Sequence, residues 1–146
     1  MSNLSNNFIA GDWVKGSSSI SNINPSDTND VIGEYAQANN AQLEDALNSS
    51  QIAQKQWAAT GLEQRQAVLM KIGEEMMARS AELGELLSRE EGKPVAEGKG
   101  EIYRAGQFFT YYAAEVLRQS GDTADSVRPN IEIDVRREPM GTVAII

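Results

Sequence analysis

The sequence predicts an α/β chain built in three runs: short strands, then a block of packed helices, then strands again. Three observations carry this. Helical spacing is clearest from Glu101 to Gln119, where Ile102, Ala105, Phe109, Tyr112 and Val116 form one apolar stripe. Near the start, aromatic and β-branched residues flank turn residues in short clusters. At the far end, Thr142 to Ile146 is a continuous apolar run of the kind buried on both faces in a parallel sheet.

The elements follow in order. Phe8 to Val14 reads as a tight hairpin turning at Gly11-Asp12. Ser17 to Ser19 reads as a flexible joint, Ile20 to Ile23 as a strand, and Asn24-Pro25-Ser26-Asp27 as the turn that closes it. Val31 to Ala36 is a second strand, interrupted by Gly33. Asn39 with Gln42 makes a capping box for a helix burying Leu43, Ala46, Leu47, Ala53 and Trp57. Thr60-Gly61-Leu62-Glu63 predicts a second box, opening a helix that buries Val68, Leu69, Ile72 and Met76. Ser80 is expected to cap a third helix with Leu83, Leu86 and Leu87 inward, ended by Gly92 and Pro94. The helix from Glu101 has Gly106 and Ala113 near its stripe, small enough to admit another backbone, and Ser120-Gly121 as its stop. Ile131, Ile133 and Val135 alternate with Glu132, Asp134 and Arg136, predicting a strand with one buried and one wet face.

Composition removes several functions. The net charge of -8 argues against a polyanion such as nucleic acid as the main partner. No apolar run is long enough to span a membrane, and MSNLSNN is not a signal peptide, so the expected location is cytoplasmic. Cysteine and histidine are both absent, which removes thiolate nucleophiles, imidazole bases and the usual zinc ligands. The pairs Glu74-Glu75 and Glu90-Glu91 point in different directions on a helix and read as solvated faces rather than acid/base or metal sites. Met70, Met76 and Met77 read as core filler. Gly98-Lys99-Gly100 lacks the glycine spacing and the following serine or threonine of a phosphate loop.

FIAGDWV, NINPSDTNDVIGEYAQA, AQKQWAAT, LEQRQAVLMKIGEEM, LSREEGKP, GEIYRAGQFFTYYAAEVLRQSGD and VRREPMGTVAII, in that order, resemble the aldehyde dehydrogenase superfamily from Phe8 to Ile146. REEGKP, the GEIYRAGQFF run and DTADSVRPNIEIDVRREP look most like its semialdehyde branch, which includes 2-oxoglutarate semialdehyde (2,5-dioxopentanoate) dehydrogenases. The resemblance implies the N-terminal part of that fold. Residues 1–121 would belong to the cofactor domain and 122–138 to the oligomerisation domain, whose strand over 130–137 implies a homo-oligomer. Residues 139–146 would be the first core strand of a Rossmann-like sheet, cut short. It also implies NAD or NADP as cofactor and a small aldehyde as substrate.

The same resemblance supplies candidate site residues. Arg104 resembles a position on the helix lining the substrate tunnel, where a guanidinium holds the distal carboxylate of a semialdehyde acid; the plainer reading is an arginine paired with Glu101. Phe108, one turn on, is tunnel wall or core. Ile146 resembles a strand end whose backbone lies near the cofactor, against the plainer reading of a buried strand residue. The family's PWN segment, ribose-binding lysine and glutamate, general-base glutamate and nucleophilic cysteine all follow this region. No catalytic residue is therefore expected here, and the chain alone is expected to be inactive. The competing reading is a stand-alone, non-catalytic helical module that binds a protein partner through an open strand.

Overall fold

A computed structural model describes residues 4–145. A short strand β1 (Leu4–Ser5) precedes the hairpin β2 (Asn7–Ile9) and β3 (Asp12–Val14). The turn falls at Ala10-Gly11, one residue earlier than the sequence suggests, with φ of 55° and 96°. Both values are positive, as a two-residue primed turn between twisted strands requires. Phe8 and Trp13 are cross-strand partners with ring centroids 5.0 Å apart. β4 (Ser18–Ile23) pairs antiparallel with β5 (Val31–Gln37), and β1 adds parallel to the far edge of β5. Ser18 and Ser19 are thus strand, not joint: the ladder to β5 recruits them. Gly33 does not break β5. It lies where the register slips between Asn22 and Ile23, the usual place for a glycine in a bulged ladder.

Helix α1 (Asn40–Ala58) opens with the predicted capping box. The Gln42 N–H donates to Asn39 Oδ1 at 2.9 Å and the Asn39 N–H donates to Gln42 Oε1 at 3.2 Å. α2 (Leu62–Ala78) has no such box. Its N-cap is Gly61, and the Thr60 hydroxyl donates back to the Gln56 carbonyl at 3.0 Å, closing α1 instead. α3 (Ser80–Glu91) begins at Ser80 rather than being capped by it, and Arg79 occupies the N-cap position. Gly92 ends α3 in the left-handed region at φ 75°, as predicted.

The core lies where α2 and α3 meet α4 (Val95–Val116). α4 starts at Val95 after Pro94, six residues before the start expected at Glu101, because packing overrides the low helix propensity of Gly98 and Gly100. A Cβ on Gly98 would sit 2.4 Å from the Gly84 carbonyl oxygen, and one on Gly106 2.7 Å from the Gly73 carbonyl oxygen. These paired glycines let α3 and α2 approach α4 backbone to backbone. Ala113 is fully buried, as its size predicted. Ile102, Ala105, Phe109 and Val116 are half-buried, but Tyr112 is 57% exposed. The large residues of α1 depart further: Leu43, Leu47 and Trp57 are exposed, as are Val68 and Ile72 of α2 and Leu86 of α3. α1 borders only a strand of the hairpin appreciably, so nothing among the described residues covers its stripe.

The end of α4 also differs from expectation. Leu117 caps it in a right-handed conformation, and Gly121 is not left-handed. Gly121 is instead required by closeness, since a Cβ there would lie 2.0 Å from the Val135 carbonyl oxygen. β6 (Asp122–Asp125), unforeseen in the sequence, pairs antiparallel with β7 (Glu132–Val135). β7 alternates as predicted but buries neither face, with Ile131, Ile133 and Val135 about half exposed. Residues 142–145 form no strand. A parallel strand takes its hydrogen bonds from neighbours, and no described residue pairs with this segment.

Candidate functional site

The glycine face of α4 faces α2 and α3, so the opposite face is turned outward. It carries Arg104, Phe108, Tyr111 and Glu115 at successive turns. Arg104 is exposed, and Phe108 and Tyr111 are 58% and 57% exposed. The pairing of Arg104 with Glu101 is not found. Glu101 takes Lys93 Nζ at 2.6 Å, and Arg104 has no hydrogen-bonded or ionic partner among the described residues. Phe108 is not core. Tyr111 packs edge-on against Tyr112 with centroids 5.2 Å apart. A cleft of about 430 Å³ at the end of this face is lined by Tyr111, Glu115 and Leu69, but not by Arg104 or Phe108. Ile146 lies outside the described residues.

No acid/base centre accompanies this face. Every resolved pKa shift moves its group deeper into the charged form. Asp30 falls from 3.8 to about 2 because Arg89 and Asn24 donate to its carboxylate. Arg89 rises through hydrogen bonding to Asp30, Lys93 through Glu101 and Glu91, and Arg79 through Glu82 and Glu75, while Glu82 falls beside Arg79. A general base needs the reverse, a group held near neutrality by burial or a like charge. These pairs are structural. The Arg89–Asp30 fork, at 2.9 and 2.6 Å, ties the β4–β5 loop to α3, with Asn22 reaching Glu90 and the Ser26 hydroxyl donating to the Gly92 carbonyl. The acidic pairs have plain roles too: Glu75 pairs with Arg79 and Glu91 with Lys93. Among the described residues no group of three or more acidic side chains is placed to hold a metal ion.

Gly98-Lys99-Gly100 does not form a phosphate loop. It lies inside α4, and the space beside Gly98 is filled by the Gly84 carbonyl and the Ser88 hydroxyl, not left open for a phosphate. Sequence reasoning missed a second feature, a cleft of about 280 Å³ lined by Trp57, Arg65, Arg137 and Glu138 among others. Its residues come from α1, α2 and the segments after α4 and β7, and no periodicity links them.

The aldehyde dehydrogenase family model matches residues 13–146, and the chain belongs to that family. It is 29% identical to an alpha-ketoglutarate semialdehyde dehydrogenase of Haloferax volcanii over 100% of this chain and 31% of that protein. It is 33% identical to a glutarate-semialdehyde dehydrogenase of Pseudomonas putida over 95% of this chain and 29% of that protein. Among solved structures, an NAD-dependent benzaldehyde dehydrogenase from Corynebacterium glutamicum superposes with a TM-score of 0.80 at 32% identity, over 90% of this chain and 29% of that one. The α/β architecture is that of the N-terminal part of the family fold. The chain spans 29–31% of the length of the curated relatives named here.

Proposed function

We propose that this chain is the N-terminal portion of an NAD(P)-dependent aldehyde dehydrogenase that oxidises a semialdehyde acid, such as 2-oxoglutarate semialdehyde, to the corresponding dicarboxylate. The observation that carries the substrate class is Arg104: an unpaired guanidinium on an outward helix face, beside Phe108 and Tyr111. A carboxylate accepts two parallel N–H bonds from such a group, while the aromatic side chains flank the aliphatic part of the substrate. NAD(P)+ would supply the hydride acceptor for this chemistry. This chain contributes scaffold and substrate positioning and, holding no cysteine nucleophile, is inactive alone. Residues 1–121 serve the cofactor domain, 122–138 the oligomerisation domain and 139–146 the first strand of the dinucleotide sheet. The β6–β7 hairpin, open on both edges, is the proposed contact of a homo-oligomer. No helix among the described residues is long and apolar enough to cross a membrane, and a cytoplasmic location is proposed with it.

Surface area supports a chain made to be covered. It exposes 11281 Å², whereas a compact monomer of this mass exposes about 7,400 Å². The excess is several times the roughly 800 Å² that each partner buries in an ordinary complex.

The test is NAD(P)H formation by the complete polypeptide with semialdehyde acids and with uncharged aldehydes of equal length. In that enzyme Arg104→Ala raises KM for the acids about 10–100-fold, the loss of one charge-assisted pair, and leaves the uncharged aldehydes unchanged. An equal effect on both classes removes Arg104 from the substrate path.

A further inference from the structure

Among the described residues, the cleft between α1, α2 and the segment after β7 brings together two guanidinium groups that form no ion pair. Arg65 and Arg137 both line it, and neither takes part in an ion pair among the described residues. Arg65 Nε is buried and has no hydrogen-bond partner. A buried guanidinium N–H without an acceptor is costly, and a bound ligand or an ordered water supplies one. Trp57 forms an apolar wall, and Gln54 and Gln119 bring amides that donate as well as accept. Glu138 lines the same cleft without bonding to either arginine, so the lining carries two cations against one anion. Elsewhere the surplus runs the other way, to a net charge of -8.

We propose that this cleft is a carboxylate-binding site. The ligand presents one carboxylate to the Arg65 and Arg137 guanidiniums and lays its short apolar part against Trp57. The volume of about 280 Å³ suits a group of side-chain or small-acid size. Two sources share this chemistry, a free small carboxylic acid and the acidic side chain of a polypeptide that covers this face. The site is separate from Arg104 and does not rest on the proposed reaction.

Trp57 reports on it directly. The chain holds two tryptophans, and Trp13 is 70% exposed on the hairpin, so Trp13→Phe leaves Trp57 as the only indole with little structural cost. In that background acetate, succinate and N-acetyl-glutamate amide are titrated at constant ionic strength against chloride while Trp57 emission is followed. A saturable change is expected, weakened about tenfold in Arg65→Gln and in Arg137→Gln, the equivalent of one charge-assisted hydrogen bond. Glu138→Gln removes the competing carboxylate and tightens binding. Arg137 is exposed, so its variant keeps the test valid where Arg65→Gln unfolds the helix pair. Response to acetate and succinate marks a free acid as ligand, and response only to the glutamate amide marks a covering polypeptide. No saturable response to any of the three, or an equal response to chloride, overturns the proposal.

Discussion

Two glycines two residues apart in α4 should respond to the same substitution with opposite sign. A Cβ on Gly98 would lie 2.4 Å from both the Gly84 carbonyl oxygen and Ser88 Oγ, and the Ser88 hydroxyl is itself tied to that carbonyl at 2.7 Å. Neither atom is the free end of a flexible side chain, so α3 and α4 must separate. Overpacking of this kind costs about 1–3 kcal/mol, against a helix-propensity gain of about 0.5–1 kcal/mol for replacing glycine by alanine. Gly98→Ala should therefore destabilise by up to about 2.5 kcal/mol, with a central value of about 1 kcal/mol. A Cβ on Gly100 meets nothing within 4 Å, so Gly100→Ala keeps the propensity gain and stabilises by about 0.5–1 kcal/mol. Urea unfolding followed by far-ultraviolet circular dichroism measures both, and thermal midpoints should move by about 2–8 °C per kcal/mol in opposite directions. A Gly98→Ala protein as stable as the wild type would refute the backbone-to-backbone packing of α3 on α4.

Further outcomes follow from the same contacts. Asp30 is held at about 2 against 3.8 by Arg89 and Asn24. A depressed carboxylate contributes stability above its unfolded pKa and loses it as pH falls through the folded one. Stability should therefore decline between pH 3.8 and about 2, and Asp30→Asn should flatten that part of the acid limb in a pH series of urea midpoints. Asn39→Ala should cost about 1 kcal/mol through loss of the α1 cap, whereas Thr60→Ala, whose hydroxyl caps nothing in α2, should fall within about 0.5 kcal/mol of wild type; the same unfolding assay compares them. Gly92→Ala forces a side chain into φ 75° with its Cβ 2.8 Å from Ser26 Oγ, and should destabilise by about 1 kcal/mol or more.

The sequence was most legible where one local rule decided the outcome. Asn39 and Gln42 sit three apart and form both bonds of a capping box, and Gly92 before Lys93-Pro94 ends α3 in the left-handed region. It was less legible where two local rules competed. Thr60 and Ser80 have the side chains of caps, but Thr60 bonds backward to Gln56 and Ser80 is already inside its helix. The early start of α4 was hidden because Gly98 and Gly100 read as breakers, and only the closeness of Gly84 shows why a helix tolerates Gly98. The amphipathic stripe of α1 gave the right helix and the wrong burial: periodicity shows which face is apolar, not whether anything covers it. Arg104 and Phe108 on the outward face of α4 were reached through the family resemblance, not through a local rule. The Arg65–Arg137 cleft was not visible, because four distant segments build it.

The central claim is that this chain works only as part of a larger dehydrogenase polypeptide, and the intact mass of the native protein tests it most directly. A polypeptide roughly three times the 15.9 kDa of this chain is predicted, the size of the relatives of which it spans 29–31%, with a cysteine in the added sequence. A native mass of 15.9 kDa, with a stop codon after Ile146, would contradict it.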